Sequence, residues 1–246
     1  MRGERLDVIL VNRSLAESRE RAQRLIMAGE VRVKGQLCTK SSQCFEADVE
    51  IDIKQGQRFV SRGGEKLECA FEHFKLNVEG LVCLDVGAST GGFTDCMLQH
   101  GAAKVMAVDV GKGQLHWKVR QDPRVTVIDE FNARHLTSKD LPDVPAFVSV
   151  DVSFISLTKV LPAVIQVTAP VAEIVTLIKP QFEAGRQEVG KGGVVRDENI
   201  RLKVIETIRL WGTEKGGLKW MGVCESPIKG PAGNVEFLAY WKKGCA

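Results

Sequence analysis

Residues 81–93 read LVCLDVGASTGGF, an apolar run that leads directly into a glycine-rich turn. The apolar run is typical of a strand that is buried on both faces of a parallel sheet. Its glycines allow the backbone to turn tightly and to approach a ligand closely, and Thr94 to Gln99 predicts a helix. A strand, a glycine turn and a helix in this order predict a nucleotide-type binding unit in an α/β protein.

The same alternation of strands and helices continues to the end of the chain. Besides residues 81–86, apolar segments that predict strands occupy residues 105–110, 125–128, 146–151, 174–178, 220–224 and 235–240. Helices are predicted in the gaps, notably over residues 197–211. The pattern predicts a Rossmann-like, doubly wound α/β fold with a mostly parallel sheet of seven strands. Ligands of such sheets bind at the carboxyl ends of the strands.

The glycine turn matches neither common phosphate-binding fingerprint. It lacks the middle glycine of the dinucleotide motif and the Gly-Lys-Ser/Thr of a Walker loop. Instead, Asp85 precedes the first glycine by two residues, where it can face a ligand amine, and Asp109 ends the next strand, where it can accept hydrogen bonds from ribose hydroxyls. A cationic amino acid joined to a nucleoside describes S-adenosylmethionine. Asp109 alone suits NAD equally well. A second alternative is a glycine turn that closes tightly and binds no ligand. The predicted cofactor-binding residues are Asp85, Gly87, Ser89, Gly91, Asp109 and Asn132.

The excess positive charge of the chain lies at its start. The chain has 34 Lys+Arg and 31 Asp+Glu, of which the first 66 residues hold 13 and 10, so the whole excess is there. Leu6, Ile9 and Leu10 predict a short helix, and Ser18 predicts the cap of a second helix that ends near Gly29. Alternating residues predict short strands at 31–33 and 49–53. These features predict a small α+β module that binds a polyanion.

Residues 18–35, SRERAQRLIMAGEVRVKG, resemble the alpha-L RNA-binding domain first described in a small-subunit ribosomal protein. The resemblance implies RNA binding through the arginine-bearing helix and the adjoining turn; a generic interaction module is the alternative.

Residues 54–57 form a polar connector, and the expected division is a domain over 1–56, a linker over 57–64 and a second domain over 65–246. The loop around Lys191 and Arg196 is basic, although a plain solvated turn explains it equally well. The candidate RNA-binding residues are Arg19, Arg21, Arg24, Arg32, Lys34, Arg62, Lys191 and Arg196.

Charged residues mark the ends of later apolar segments. Asp151 closes the fourth predicted strand, Lys179 closes the fifth, and Glu236 lies in the last one. A charged residue at the end of an apolar strand is unusual unless it is paired or used in chemistry. Each of them taken singly is explained by an ion pair at the edge of the sheet.

Six further segments resemble the haemolysin A (TlyA) family, which joins an alpha-L domain to an FtsJ-like methyltransferase. They are residues 60–67, 84–95, 151–157, 177–183, 191–197 and 226–230. The resemblance implies 2′-O-ribose methylation of ribosomal RNA, with cytidine as the target and with ribosomal RNA or ribosomal subunits as partners. It also implies a catalytic tetrad of Lys66, Asp151, Lys179 and Glu236. Lys179 would stabilise the developing oxyanion or act as base, Asp151 would hold Lys179, and the other two would orient the hydroxyl.

Three rival functions were weighed, and the sequence predicts neither a membrane span, nor a signal peptide, nor a metal site. The rivals are a pore-forming haemolysin, a methyltransferase acting on a base nitrogen, and a non-catalytic ribosome-binding factor. No run of about 18 apolar residues predicts a membrane span, and no signal peptide opens the sequence, so a cytoplasmic protein is expected. The seven cysteines have no metal-ligand spacing, so they are predicted to be reduced and no metal is expected.

Overall fold

The computed structural model describes residues 3–53 and 58–244. The chain divides into two compact units, Met1–Arg58 and Phe59–Ala246. The predicted polar connector, residues 54–57, lies outside the described residues. Residues 59–64 of the predicted linker lie in the second unit, whose first helix already begins at Gly63.

The first unit is a small α+β module. Its elements are β1 (Glu4–Arg5), α1 (Leu6–Asn12), α2 (Arg19–Met27), β2 (Val31–Val33), β3 (Gln36–Leu37), β4 (Cys44–Phe45) and β5 (Ile51–Ile53). Strands β3, β2 and β5 form one antiparallel sheet in that order, and β1 pairs with β4. The sequence did not predict β1, β3 or β4, because two-residue strands carry no measurable alternation.

Local sequence explains the two helices of this unit. The Ser18 hydroxyl accepts a hydrogen bond from the Arg21 amide and so caps α2 as predicted. Gly29 ends the helix with a φ of +71°, a conformation that glycine adopts without steric cost. Ala22 and Ile26, one helical turn apart, are fully buried in the small core of the unit.

The second unit contains most of the chain. Its elements are α3 (Gly63–Phe74), β6 (Val82–Val86), α4 (Gly92–Gln99), β7 (Lys104–Val108), α5 (Trp117–Arg120), β8 (Val125–Ile128), β9 (Phe147–Val150), α6 (Leu157–Val167), β10 (Ala172–Ile178), α7 (Pro180–Glu183), α8 (Glu198–Glu214), β11 (Lys219–Glu225) and β12 (Phe237–Lys243). A short 3₁₀ turn occupies Ala133–His135.

Seven strands of this unit form one sheet in the order β11-β12-β10-β9-β6-β7-β8. Neighbours from β10 to β8 pair in parallel, whereas β12 pairs antiparallel with both β10 and β11. The prediction of a mostly parallel, doubly wound sheet of seven strands is therefore confirmed. The chain proceeds outward from β6 in both directions, so the carboxyl ends of β6 and β9 meet where ligands bind in such sheets.

Two hydrophobic cores cover the two faces of the sheet. One core contains buried residues of α3 and α4, including Leu67 and Met97. The other contains residues of α6 and α8, including Leu161 and Ile208. Strands that are buried on both faces leave room for functional groups only at their ends, which is where the candidate site is found. Among the described residues, no helix is both long and apolar enough to cross a membrane.

Candidate functional site

The glycine turn after β6 is shaped by a close approach of two backbones. Gly87 has a φ of +84°, and a Cβ atom there would lie 2.3 Å from the carbonyl oxygen of Asp151. A side chain at residue 87 would therefore collide with the chain that follows β9. Gly91 has a φ of +89°, and a Cβ there would lie 2.8 Å from Leu115. Both glycines are thus required by the shape of the turn.

Asp85 does not face the cavity beside this turn. Its side chain is fully buried and accepts hydrogen bonds from the Thr94 hydroxyl at 2.6 Å and the Ser149 hydroxyl at 3.1 Å. Burial raises the pKa of Asp85 to about 7, and the nearby Asp151 charge acts in the same direction. The expectation that Asp85 meets a ligand amine therefore does not fit this structure, because Asp85 lies inside β6 rather than after its end.

A cavity of about 310 Å³ lies at the carboxyl ends of β6, β7 and β9. Asp109 lines it and accepts hydrogen bonds from the backbone N–H groups of Ser89 at 2.8 Å and Gly111 at 2.7 Å. These bonds hold the carboxylate in one orientation and leave lone pairs for a ligand. Of the other predicted cofactor residues, Gly87, Ser89 and Asn132 line the cavity, whereas Gly91 does not.

A second cavity, of about 170 Å³, shares part of the lining of the first. Gly87, Ser89 and Asp151 line both cavities, and Phe93 and Ser61 line only the second. The two cavities therefore meet at the glycine turn. This arrangement fits a ligand with two parts, a nucleoside beside Asp109 and an amino acid beside the turn.

Lys179 and Asp151 form an ion pair at the ends of two neighbouring strands. The Lys179 Nζ atom lies 2.6 Å from Asp151 Oδ1, and it also donates a hydrogen bond to the Ser153 hydroxyl at 2.8 Å. The Lys179 side chain is 10% exposed, so the ammonium has few water contacts. Since Asp151 lines both cavities, the pair stands beside the proposed ligand site.

Lys66 and Glu236 form a second ion pair. Lys66 Nζ lies 2.6 Å from Glu236 Oε2, and the Gln181 side-chain amide donates to Glu236 Oε1 at 3.2 Å. Glu236 precedes β12, so the expectation that it lies within the last strand was wrong. Lys179 directly precedes α7, and Gln181 belongs to that helix, so α7 connects the two pairs.

Four residues beside these pairs were not predicted as site residues from the sequence. Two are Ser153 and Gln181, and the others are Phe154 and Phe182, whose ring centroids lie 5.0 Å apart. Phe154 is 91% exposed and has a φ of +62°, which is unusual for a residue with a bulky side chain. Phe182 also lies 6.0 Å from Lys179 Nζ. An exposed ring that packs beside a partly buried ring near the ammonium offers a surface on which a planar base can stack.

The eight candidate RNA-binding residues are all exposed, five in the first unit and three in the second. Arg32 donates to the Gly35 carbonyl, and Arg19 pairs with Asp7. Arg62 precedes α3. Lys191 and Arg196 flank a loop that Asn234 holds by accepting from the Val195 amide and donating to the Gly193 carbonyl.

One group of possible metal ligands occurs among the described residues, and its Glu68 lies on the same helix, α3, as Lys66. Glu68, Cys96 and His100 offer ligand atoms that all lie within 4.8 Å of one another. His100 Nε2 lies 2.6 Å from Glu68 Oε2, so the imidazole and the carboxylate already contact each other directly.

Comparison with protein families gives two matches along the chain. Residues 59–243 match the FtsJ-like methyltransferase family, and residues 4–48 match the S4 domain. The first match covers essentially the whole second unit, and the second covers most of the first unit.

Individual proteins are similar over nearly the full chain. Hemolysin A of Brachyspira hyodysenteriae is 44% identical over 238 residues, with 96% of this chain and 99% of that protein covered. The 16S/23S rRNA (cytidine-2′-O)-methyltransferase TlyA of Mycobacterium tuberculosis is 44% identical over 243 residues, with 97% and 90% covered. A solved structure from Streptococcus thermophilus is 45% identical, covers 99% of this chain and 89% of its own, and superimposes with a TM-score of 0.74.

Proposed function

The chain belongs to the FtsJ-like methyltransferase family and carries an S4 domain, and we propose that it methylates the 2′-hydroxyl of a ribose in ribosomal RNA. The first unit would bind the RNA, and the second would transfer the methyl group. The TlyA proteins of Mycobacterium tuberculosis and Campylobacter jejuni, both described as rRNA (cytidine-2′-O)-methyltransferases, support this reaction.

The observation that carries the proposal is the contact between Lys179 Nζ and Asp151 Oδ1 at 2.6 Å. A ribose hydroxyl is a very weak acid, so it needs a positive group that stabilises the charge developing on its oxygen. Lys179 donates one N–H to Ser153 and contacts Asp151 as an ion pair, so another of its N–H groups would donate to that oxygen. Positioning of the hydroxyl supplies a large part of the rate in such a displacement.

S-adenosylmethionine fits the two adjoining cavities and supplies an electrophilic methyl group on a sulfonium. Asp109, held by two backbone amides, would accept hydrogen bonds from the ribose hydroxyls of the cofactor. Asn132 lines the same cavity and would lie beside the adenine. Gly87 and Ser89 border both cavities, so they would lie against the middle of the cofactor. Asp151, which also lines both cavities, would lie close to the sulfonium.

Lys66 and Glu236 would orient the target ribose from the other side. Both side chains are nearly buried, at 11% and 1% exposure, and each holds the other at 2.6 Å. Gln181 donates to the same carboxylate, while its own Oε1 atom has no hydrogen-bond partner in the described part of the chain. That oxygen is also shielded from solvent.

The target base would be a cytosine that stacks on Phe154 beside Phe182. The two ring centroids lie 5.0 Å apart, and Lys179 Nζ lies 6.0 Å from the centroid of the Phe182 ring, so a base stacked on Phe154 would bring its ribose towards the ammonium. Capture of the RNA would use the exposed basic residues of the S4 domain, Arg19, Arg21, Arg24, Arg32 and Lys34, together with Arg62, Lys191 and Arg196.

The test is transfer of labelled methyl from S-adenosylmethionine to ribosomal subunits from cells that lack this protein. We expect label in RNA that is recovered as 2′-O-methylcytidine after nuclease digestion. Label on a base nitrogen would replace the proposed reaction by base methylation. Binding to ribosomal subunits without transfer of label would indicate a non-catalytic ribosome-binding factor. Lysis of erythrocytes by the purified protein, without RNA methylation, would indicate a haemolysin.

A further inference from the structure

Three side chains of different metal-ligating types meet between helices α3 and α4. Glu68 belongs to α3, Cys96 belongs to α4, and His100 caps the end of α4. One Glu68 oxygen, Oε2, lies 3.6 Å from Cys96 Sγ and 2.6 Å from His100 Nε2. One ligand atom from each residue lies within 4.8 Å of the other two. A carboxylate oxygen, a sulfur and an imidazole nitrogen are therefore close enough to share one metal ion.

The expectation of no metal rested on the spacing of the cysteines along the sequence. Cys96 and His100 are four residues apart, which places their side chains on the same face of α4, one helical turn from each other. The third ligand, Glu68, comes from another helix, 28 positions before Cys96. The set needs no pair of cysteines, so no spacing motif in the sequence reveals it.

The separations of the ligand atoms fit zinc. Bonds of about 2.3 Å to sulfur and about 2.0 Å to oxygen or nitrogen place the ligand atoms of a tetrahedral site about 3.3–3.6 Å apart. The separation of 3.6 Å between Cys96 Sγ and Glu68 Oε2 already has this value. Glu68 and His100, at 2.6 Å, would move apart by less than about 1 Å when their hydrogen bond is replaced by two bonds to the metal.

Charge and ligand chemistry favour the same ion. A thiolate, a carboxylate and a neutral imidazole together carry two negative charges, which one Zn²⁺ neutralises. Neutrality matters here because Cys96 is fully buried and Glu68 is nearly so, and a buried site tolerates little net charge. Ca²⁺ and Mg²⁺ prefer sites made of oxygen ligands, so the sulfur and the nitrogen disfavour them.

His100 gives the cluster an entrance and a well-oriented ligand. Its side chain is 29% exposed, so an ion and a water molecule can reach it from solvent. Its ring stacks on Phe71, with the ring centroids 4.3 Å apart and the planes 9° from parallel. The stacking fixes the plane of the imidazole while Nε2 faces Glu68.

An ion pair between Glu68 and His100 explains only part of this arrangement. It accounts for the contact at 2.6 Å, and Cys96 would then be an ordinary small residue of the core. A thiol is a weak donor, so at 3.6 Å from the carboxylate it adds little to such a pair. A metal site accounts for all three side chains at once.

We propose that Glu68, Cys96 and His100 bind one Zn²⁺ ion, with water as the fourth ligand. None of these three residues lines either cavity of the proposed methyl-transfer site. The ion would therefore fasten α3 to α4 and take no part in the methyl transfer. The proposal does not rest on the proposed function, since it needs neither RNA nor S-adenosylmethionine.

Titration of the reduced, metal-free full chain with Co²⁺ is the direct test. Co²⁺ accepts the tetrahedral ligands of a zinc site and reports a bound thiolate through a charge-transfer band in the near ultraviolet. We expect this band to saturate at one equivalent of Co²⁺ and to disappear when Zn²⁺ is added, because Zn²⁺ has no competing geometric preference. Mg²⁺ should not displace the Co²⁺.

Substitution of single ligands assigns the site. Cys96→Ser should abolish the band, and His100→Gln should weaken Zn²⁺ binding by about a hundredfold or more, since even the outer partners of metal ligands contribute about 10–100-fold. Cys83→Ser and His73→Gln are the matched controls, because Cys83 is a buried cysteine of the same core and His73 is a histidine of α3. Both controls should bind one equivalent with wild-type affinity. His100→Gln keeps the test decisive if Cys96→Ser does not fold, because His100 is partly exposed.

Thermal unfolding supplies a second measurement. With free Zn²⁺ at about 100 times its dissociation constant, the melting temperature of the wild type should rise by about 5–10 °C, and that of His100→Gln should not rise. Absence of the Co²⁺ band in the wild type, or a band that persists unchanged in Cys96→Ser, would overturn the proposal and leave an ion pair beside a core cysteine. Methyl transfer is assayed separately, so a chain that binds Zn²⁺ but transfers no methyl group would refute the proposed function alone.

Discussion

The Lys66 ammonium nitrogen lies 2.6 Å from a carboxylate oxygen of Glu236, although 170 positions of the chain separate the two residues. The pair joins α3, at the start of the second unit, to the segment that leads into its last strand. Removal of one partner from a buried pair leaves an uncompensated charge, which costs about 3–5 kcal/mol. The two residues should therefore act as one unit.

The first prediction is that Lys66→Met and Glu236→Gln have non-additive effects on methyl transfer. Each single substitution should lower the single-turnover rate by about tenfold or more, because the ribose loses an oriented partner. The double variant should be no slower than the slower single variant, because the pair is already broken. A double variant whose loss equals the product of the two single losses would show that the residues act independently.

Removal of the Lys179 side chain should abolish the reaction and spare the cofactor. We expect Lys179→Ala to lower the methyl-transfer rate by about a hundredfold or more, because the developing oxyanion loses its ammonium. The dissociation constant of S-adenosylmethionine, measured by calorimetry, should change by less than about threefold, since Lys179 is not among the residues that line the two cavities. Lys104→Ala is the control, because Lys104 pairs with Asp143 in a half-exposed ion pair on the amino-terminal side of β7. Measurable turnover at the wild-type rate in Lys179→Ala would remove this residue from the mechanism.

Gly87→Ala should abolish cofactor binding through steric conflict. A Cβ atom at this site would lie 2.3 Å from the Asp151 carbonyl oxygen, so the turn and the strand end must separate. Gly80→Ala is a matched control, because Gly80 also has a positive φ, of +72°, but a Cβ there meets nothing within 4 Å. The Gly80→Ala control should lose only about 1–2 kcal/mol of folding stability, from backbone strain at the positive φ, and should keep its cofactor affinity. Equal affinities for the cofactor in both variants would contradict the close approach.

Position relative to a strand end explains which site residues could be predicted from the sequence. Asp109 and Asp151 directly follow β7 and β9, so their side chains reach the rim where the cavities lie. Asp85 carries the same kind of charge but is the fourth residue of the five-residue β6, where helices cover both faces. A difference of two residues in the position of the strand end separates a carboxylate at the rim of the cavity from a buried one. Sequence patterns locate strand ends less accurately than that.

Other site residues depend on contacts that no local pattern encodes. Gln181 contacts Glu236 across 55 positions of the chain, and Ser153 contacts Lys179 across 26. Glu183 holds the start of α6 by accepting from the Ser156 hydroxyl at 2.6 Å and the Leu157 amide at 2.7 Å. These partners become visible only when the loops after β9 and β10 are brought together in three dimensions. The family resemblance supplied Lys66, which the strand pattern does not select, whereas Glu236 was already marked as a charged residue in the last apolar segment.

Burial of Asp85 predicts a definite pH dependence of stability. Its pKa is raised from 3.8 to about 7 in the folded protein, so the folded state binds more protons than the unfolded state between these values. Stability contributed by Asp85 is present below about pH 4 and is lost as the pH rises through about 7, with a slope of at most about 1.4 kcal/mol per pH unit. Asp85→Asn cannot ionise, so the variant should gain stability relative to the wild type when the pH rises from about 5 to about 8. Urea unfolding at both pH values measures this difference, and a constant difference would show that Asp85 titrates normally.

Phe154 should lower the stability of the fold and strengthen the binding of the substrate. A φ of +62° destabilises the fold by about 1–2 kcal/mol at any residue other than glycine. Because the Phe154 ring is 91% exposed, its burial contributes little stabilisation in return. Phe154→Gly should therefore leave the melting temperature unchanged or raise it, while methylation of ribosomal subunits falls by about tenfold because the target base loses its stacking partner. Lys75→Gly is the matched control, since Lys75 has a φ of +54° at the end of α3 and should gain stability without losing activity. Full activity in Phe154→Gly would mean that the exposed ring plays no part in holding the base, and the strained backbone would then need another cause.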